Sequence, residues 1–241
     1  MFWLIETEDQ INYLINRYCD EAFIEIVSYH DKVHPALNDV SLVYFRPLYD
    51  NKGYMLCVDH SETLSLDKTL INTLLQGINR LWVRDKKNAL YHFQIKSLLD
   101  VNILTPPYIQ DPTPTHTYFQ NKYPDYKEIN KIIPVVKHYE YCENIYNKVK
   151  PHFTQELPEH FNFYNNKTTL AFFGIEKNGI KINETVFNQH FKPLNPFHSI
   201  EDGRVFTSYN LFTTTRRPSN SFNGVNFAAL NKETGARKSF I

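Results

Sequence analysis

Ala22-Phe23-Ile24-Glu25-Ile26-Val27, Val40-Ser41-Leu42-Val43-Tyr44-Phe45 and Tyr54-Met55-Leu56-Cys57-Val58 are the runs that decide the fold. Each is short and dominated by β-branched, aliphatic and aromatic residues, which suit a pleated, buried surface. Asp50-Asn51-Lys52-Gly53 separates the last two and is turn chemistry, because Asn51 and Gly53 tolerate positive φ. The second and third runs therefore read as a hairpin, and all three as an antiparallel meander. Outward from the meander the apolar period becomes helical. Thr7-Glu8-Asp9-Gln10 is a capping box ahead of Ile11, Leu14, Ile15 and Tyr18, so a helix is expected to about Cys19. Asp67 caps a second helix with Leu70, Ile71, Leu74 and Leu75 on its apolar face. Leu81-Trp82-Val83 is a fourth strand, and Lys87 to Phe93 reads as helix. A meander followed by helix-linked strands means a mixed sheet with helices on its faces, in the α/β (α+β) class.

The chain has 241 residues, one to two domains by length. Hydrophobic residues make up 42% and charged residues 22%, which excludes disordered and fibrous classes. No apolar run approaches the ~20 residues of a membrane span, so no membrane partner is expected. Met1 to Gln10 turns acidic early and has no basic n-region, so no signal peptide is read there. Cys19, Cys57 and Cys142 are scattered and show no metal or disulfide spacing, which suits a reducing, cytoplasmic compartment. Charge is uneven along the chain. Residues 1–62 carry 4 Lys/Arg and 11 Asp/Glu, net −7, whereas residues 204–241 carry 6 Lys/Arg against Glu233, net +5. A basic C-terminal part suits an anionic partner such as nucleic acid. A composition rich in Asn, Ile, Lys, Tyr and Phe suggests an AT-rich, viral or phage genome and a host-cytoplasmic protein.

Beyond the sheet, Leu104 to Pro114 is proline-rich and reads as an irregular connector. A helical stretch is expected over 129–149, entered or kinked at Pro134, and broken by Pro151 to Pro158. Thr168 to Lys177 reads as a helix ended by Asn178-Gly179, with Gly179 in the left-handed C′ position. Ile180-Lys181-Ile182 and Val205 to Asn210 read as strands, and Thr213 to Asn226 as a polar loop. The expected division is residues 1–150 and 151–241.

Five segments in the last third resemble, in order, segments of family A (Pol I-like) DNA polymerases. Ile175-Glu176-Lys177-Asn178-Gly179-Ile180-Lys181-Ile182-Asn183 resembles the segment that opens the thumb. Gly203 to Asn210 resembles a strand reading GRVHTSYH, and Thr214 to Asn220 the loop that follows it. Asn223-Gly224-Val225-Asn226-Phe227 and Gly235 to Ile241 resemble the next two segments. The resemblance implies an exonuclease-type, RNase-H-like domain over 1–150 and a shortened thumb and palm base over 151–241. Only Glu184 to Asp202, interrupted by Pro193 and Pro196, separates the thumb opening from the strand. The palm's metal-binding carboxylates would lie beyond Ile241, so Mg²⁺ and nucleotidyl transfer are expected on a C-terminal polymerase fragment. This chain is expected to carry no cofactor and no catalytic or metal-binding residue. Val205–Asn210 and Ala236–Ile241, with Phe240 and Ile241, are expected to be left exposed without that partner.

A two-metal 3′–5′ nuclease needs several carboxylates converging on two ions. The family's Asp-x-Glu motif corresponds to Glu25-Ile26-Val27, and its Asn-x-Lys-x-Asp motif to Asp85-Lys86-Lys87-Asn88-Ala89. Its Tyr-x-x-x-Asp motif falls at about Pro134 and His138, with Glu140 nearby. No motif is intact, which points away from nuclease activity, although Glu25, Asp85 and Glu140 form a conceivable remnant. His30, His34, His92 and His116 fit no ligand spacing. The polar loop is the best candidate surface: Thr215, Arg216, Arg217, Ser219, Asn220, Asn223 and Asn226, with Arg237 and Lys238, offer donors to a phosphate backbone. Two functions follow. One is the non-catalytic N-terminal part of a DNA polymerase that grips primer–template DNA. The other is a free-standing 3′–5′ exonuclease.

Overall fold

The structure, a computed structural model, describes residues 2–28, 39–105, 133–153, 156–191, 200–213, 217–221, 230 and 232–241. The described residues form two compact units, one running to Phe161 and the other from Asn162 to Ile241.

The first unit runs β1 (Trp3–Ile5), α1 (Glu8–Arg17), β2 (Glu21–Ser28), β3 (Val40–Pro47), β4 (Tyr54–Cys57), α2 (Lys68–Gln76), β5 (Arg80–Val83), α3 (Lys86–His92), β6 (Leu98–Asp100) and α4 (Val135–Val149). The capping box at α1 forms as expected, with the Thr7 side chain accepting from Gln10 N and Gln10 reaching back. Asp67 accepts from Thr69 N at 2.8 Å and starts α2. Such a cap stabilises a helix by about 1 kcal/mol.

The six strands lie in the order β1-β4-β3-β2-β5-β6. β3 runs antiparallel to both β2 and β4, while β2, β5 and β6 are parallel. Leaving aside the added edge strand β1, this is the strand order and direction of an RNase-H-like sheet. Helices cover both faces. α1, α2 and α3 pack Ile11, Leu14, Ile71, Leu74, Leu75 and Ala89 onto Ile24, Ile26, Phe45 and Leu81. α4 packs Val135, Cys142, Ile145, Tyr146 and Val149 onto Phe23, Val27, Leu42, Tyr44 and Trp82. β2 and β3 are thus buried on both faces, which explains near-continuous apolar runs in antiparallel strands. Trp82 is fully buried and stacks on Phe153 at 5.2 Å between centroids.

The turn before β4 corrects one expectation. Gly53 is not among the glycines with positive φ. Its role is close approach: a Cβ there would stand 2.9 Å from the Tyr139 ring and 3.1 Å from Tyr44. β1 and β6 were not foreseen, because three-residue strands show no period. The helix expected from residue 129 is described from Val135, with Pro134 as its N-cap. Most of the proline-rich connector lies outside the described residues.

A helical run, Glu159–Asn162, ends the first unit, and the second continues through a π-helical turn, Phe163–Thr168, into the helix Thr169–Asn178. Gly179 ends it with φ 64 and ψ 176. The positive φ was expected, but that ψ is not the left-handed helical one; it is a region open essentially to glycine alone. β7 (Ile180–Lys181), β8 (Ile200–Glu201) and β9 (Arg204–Val205) form a sheet in the order β7-β9-β8. The strand expected over 205–210 is two strands, since β10 (Ser208–Asn210) leaves that sheet to pair with β11 (Ser219–Ser221). A helix, Glu184–His190, capped by Asn183, occupies part of the stretch read as interrupted. Ile182 bridges Phe240, and Phe240 packs edge-on to Phe187 at 6.2 Å. Phe240 is therefore not left bare as expected, whereas Ile241 is 75% exposed. Among the described residues no helix is long and apolar enough to cross a membrane.

Gly179→Ala should destabilise the protein, by about 1–3 kcal/mol. It would force a strained backbone and place a Cβ 2.7 Å from the Phe206 ring. Gly174→Ala, in the same helix and facing open space, should instead stabilise by about 0.5–1 kcal/mol. Denaturant midpoints of the two variants, moving in opposite directions, check the assignment.

Candidate functional site

The register of the parallel pair β2–β5 sets Ile24 beside Val83, so the next residues, Glu25 and Arg84, emerge together. Chain order reverses here: β2 continues into the β3–β4 hairpin on one side, and β5 arrives through α2 on the other. In open α/β sheets such a switch point, at the carboxyl ends of the strands, is where ligands bind.

Alternation along β2 puts Phe23, Glu25 and Val27 on the α4 face. Glu25 Oε1 receives Arg84 Nη2 at 2.6 Å, and Oε2 receives Nε at 3.3 Å. The side chains are 7% and 6% exposed. Asn102 donates its side-chain amide to the Arg84 carbonyl. Tyr44, opposite Glu25 in the β2–β3 register, donates its hydroxyl to Glu143 of α4. Glu143 also lies 3.7 Å from Arg46, whose guanidinium rests 5.1 Å above the Tyr146 ring. Cys142, fully buried on α4, faces this cluster. Burial pushes its thiol well above the ordinary value; Glu25 adds to the shift and Arg84 opposes it.

Asp85, Lys86 and Asp100 stand at the neighbouring strand ends. Asp85 is the N-cap of α3 and accepts from Asn88 N at 3.0 Å. Asp100 ends β6, is 1% exposed, and accepts from Lys86 N and Asn102 N, each at 3.0 Å. Burial drives the Asp100 carboxyl well up, nearby Asp85 adds to this, and the two main-chain donors oppose it. Burial also lowers the Lys86 amine to about 8, against the attraction of Asp100. Asp100 was not foreseen, although Asp100-Val101-Asn102 has the spacing of a side chain that bonds its own backbone two residues on.

The acid positions of an exonuclease are therefore not reassembled. Val27 is core, Ala89 packs on the opposite face of the sheet, and Glu25 is held by Arg84. The third motif needs a correction: Pro134 caps α4, and His138 lies buried, edge-on to His60. Glu140 is on the exposed face with Lys137 at 2.8 Å. On this face α4 buries Cys142, Ile145 and Tyr146. Glu25, Asp85 and Glu140 thus serve three separate partners. Among the described residues, no group of three His, Cys, Asp or Glu side chains could hold a metal ion. The residues do not fit the divalent ions that an exonuclease site takes.

The expected DNA-binding residues lie in the second unit. Arg217 is exposed, and its carbonyl accepts from the Thr213 hydroxyl at 2.7 Å. Ser219 and Asn220 sit on β11, paired with Asn210 and Tyr209. Lys238 is exposed on the short 3-10 turn Ala236–Ser239, whereas Arg237 directs Nη2 and Nε to the Leu230 carbonyl at 3.0 and 3.2 Å. Arg204, counted in the basic tail, bonds the Asn178 and Gly179 carbonyls. Thr215, Arg216, Asn223 and Asn226 lie outside the described residues, as do His30, His34 and His116.

No protein-family model matches the chain, and no curated protein sequence does. Solved structures do. Escherichia coli RNase D, described as an exoribonuclease involved in structured RNA processing, is 9% identical over 63% of this chain and 46% of its own, with a TM-score of 0.34. The Nibbler EXO domain of Aedes aegypti is 12% identical over 63% of this chain and 88% of its own, with a TM-score of 0.33. The catalytic core of RRP6 from Trypanosoma brucei is 9% identical over 72% and 49%, with a TM-score of 0.41. The chain spans about half the length of the RNase D and RRP6 chains. These likenesses concern the fold.

Two measurements check the site. Glu25→Gln should leave a buried guanidinium without its carboxylate and cost about 3–5 kcal/mol, read as a fall in the urea midpoint. The second is pH dependence. Burial lowers His92 from 6.5 to about 4, with Lys68 adding to the shift and Asp39 opposing it. Between those values the unfolded chain takes up a proton that the folded chain refuses, so stability falls as pH drops from 6.5 towards 4. His92→Gln should flatten that part of the profile. Asp100 acts with the opposite sign: the folded state keeps its proton, so its contribution is present at low pH and lost as pH rises.

Proposed function

We propose that the chain is a nucleic-acid-binding module built on an exonuclease fold that does not itself hydrolyse, and that it forms the N-terminal part of a family A-like DNA polymerase. The observation that carries the first half is the fate of the acid positions. Val27 and Ala89 occupy the positions read as carboxylates of the family's first two motifs, and the remaining Glu25 is engaged by Arg84. Two-metal hydrolysis needs carboxylates that converge on both ions. Support for the polymerase setting comes from the second unit, where the segments that resemble that family pair with one another. Ile180–Lys181 pairs with Arg204–Val205, Ser208–Asn210 with Ser219–Ser221, and Ile182 with Phe240. Arg216, Arg217, Ser219, Asn220, Asn223 and Asn226, with Thr215 and Lys238, would hold the primer–template backbone, and Mg²⁺ and nucleotidyl transfer would belong to palm and fingers outside these residues.

One observation favours a second reading, a free-standing 3′–5′ exonuclease: the strand order and directions are those of an RNase-H-like nuclease sheet, with an acid on the central strand. End-labelled DNA and RNA strands incubated with Mg²⁺ or Mn²⁺ separate the two. The proposed module leaves the 3′ end intact. Chelator-sensitive trimming abolished by Glu25→Gln establishes the nuclease instead. Binding of primer–template DNA across a salt series tests the grip. Replacing Arg216 and Arg217 with Ala should weaken binding by similar factors for unrelated sequences and reduce the salt slope by about one to two, one counterion per lost phosphate contact. An unchanged slope removes the loop from the interface.

A further inference from the structure

We propose that Arg84 is the resident cation of this fold, a covalently attached counter-charge that does for the central strand what bound divalent ions do in a nuclease of this topology. The inference rests on the reading that the acid positions are lost. It starts from charge balance. A carboxylate 7% exposed on a doubly covered strand must be paired, because an isolated buried charge costs many kcal/mol. Carboxylates gathered at one point need an external multivalent cation. Here the negative charge has been cut to match one guanidinium. Val27 and Ala89 are apolar, and burial keeps the Cys142 thiol protonated. Asp85 caps α3, Asp100 accepts from two main-chain N–H groups beside Lys86, and Glu143 has Arg46. Glu25 is left to Arg84, which meets both of its oxygens.

Geometry fits the role. The guanidinium is a planar fork that meets both carboxylate oxygens, at 2.6 and 3.3 Å. It stays charged at every pH a protein tolerates, and no chelator removes it. It also ties elements together as a shared ion would. Its side chain reaches β2, and its carbonyl accepts from Asn102 beyond β6. A lysine would supply the charge without the fork.

The test uses the full chain and Mn²⁺ as probe. The charged and titratable groups around Glu25 are Arg84 just after β5, Tyr44 opposite it on β3, and Cys142 on the α4 face, with Glu143 and Arg46 joined to Tyr44. Thermal midpoints of the parent, Arg84→Met and Glu25→Gln/Arg84→Met are measured from about pH 6 to about pH 9, with millimolar Mn²⁺ or with a chelator. The parent should give the same midpoint with Mn²⁺ and with chelator. Arg84→Met should unfold at lower temperature, lose more stability than the double variant as pH rises, and regain part of it with Mn²⁺, since a proton or a divalent ion now supplies the missing cation. The double variant should ignore Mn²⁺. An Arg84→Met variant that tracks the double variant in pH and Mn²⁺ overturns the proposal. So does Mn²⁺ binding by the parent, seen by electron paramagnetic resonance and lost in Glu25→Gln. If Arg84→Met does not fold, Arg84→Lys decides. It should unfold below the parent and ignore Mn²⁺, and a Mn²⁺ response there overturns the proposal. Failure to bind nucleic acid would sink the proposed function and leave this result standing.

Discussion

Strand β2 is covered on both faces, and its buried carboxylate, Glu25, sits in the middle of the α4 side. That combination constrains much of the first unit. Glu25 needs a cation inside the sheet, and the parallel register brings Arg84 to it from the end of β5. Arg84 in turn needs its main chain anchored, which Asn102 supplies, and Asn102 is held by Asp100. Glu25 on β2 and the carboxyl ends of β5 and β6 are therefore joined in one polar chain set into an aromatic and aliphatic core. Breaking such a pair on one side is far more costly than never having built it, because the survivor stays buried and charged.

This constraint shapes what the fold can do. The switch point of an open sheet is normally a place where groups are left for a ligand. Here the groups at that point are engaged by each other. Binding capacity is instead proposed for the second unit, where Arg217, Ser219 and Lys238 are exposed. Even there the basic residues divide. Arg204 and Arg237 direct their guanidinium groups to main-chain carbonyls, and so shape the unit. The net charge of the tail therefore overstates the number of side chains available to a phosphate backbone.

The functional reading has the same division. The reading of the acid positions concerns single residues, and the structure shows Val27 in the core and Glu25 paired with Arg84. The polymerase setting rests on an ordered set of segments. Their pairing into β7-β9-β8, β10–β11 and the Ile182–Phe240 bridge gives those segments a common structural frame.

What the sequence determined by itself was local. The capping box at Thr7, the Asp67 cap, the three β-prone runs and the positive φ at Gly179 each depend on residues a few positions apart, and each was legible. The aliphatic Val27 and Ala89 were legible too, because a missing carboxylate needs no partner to be read. Tertiary structure alone decided the rest. Glu25 and Arg84 are 59 residues apart and meet only through the β2–β5 register. Cys142 matters because of the face of α4 it occupies, and Gly53 because of Tyr139, a residue far along the chain. β1 and β6 are three residues each, too short for a period, and exist because a neighbouring edge offers hydrogen bonds. A pattern within one segment fixes which face a residue takes; only the packing of segments fixes what that face meets.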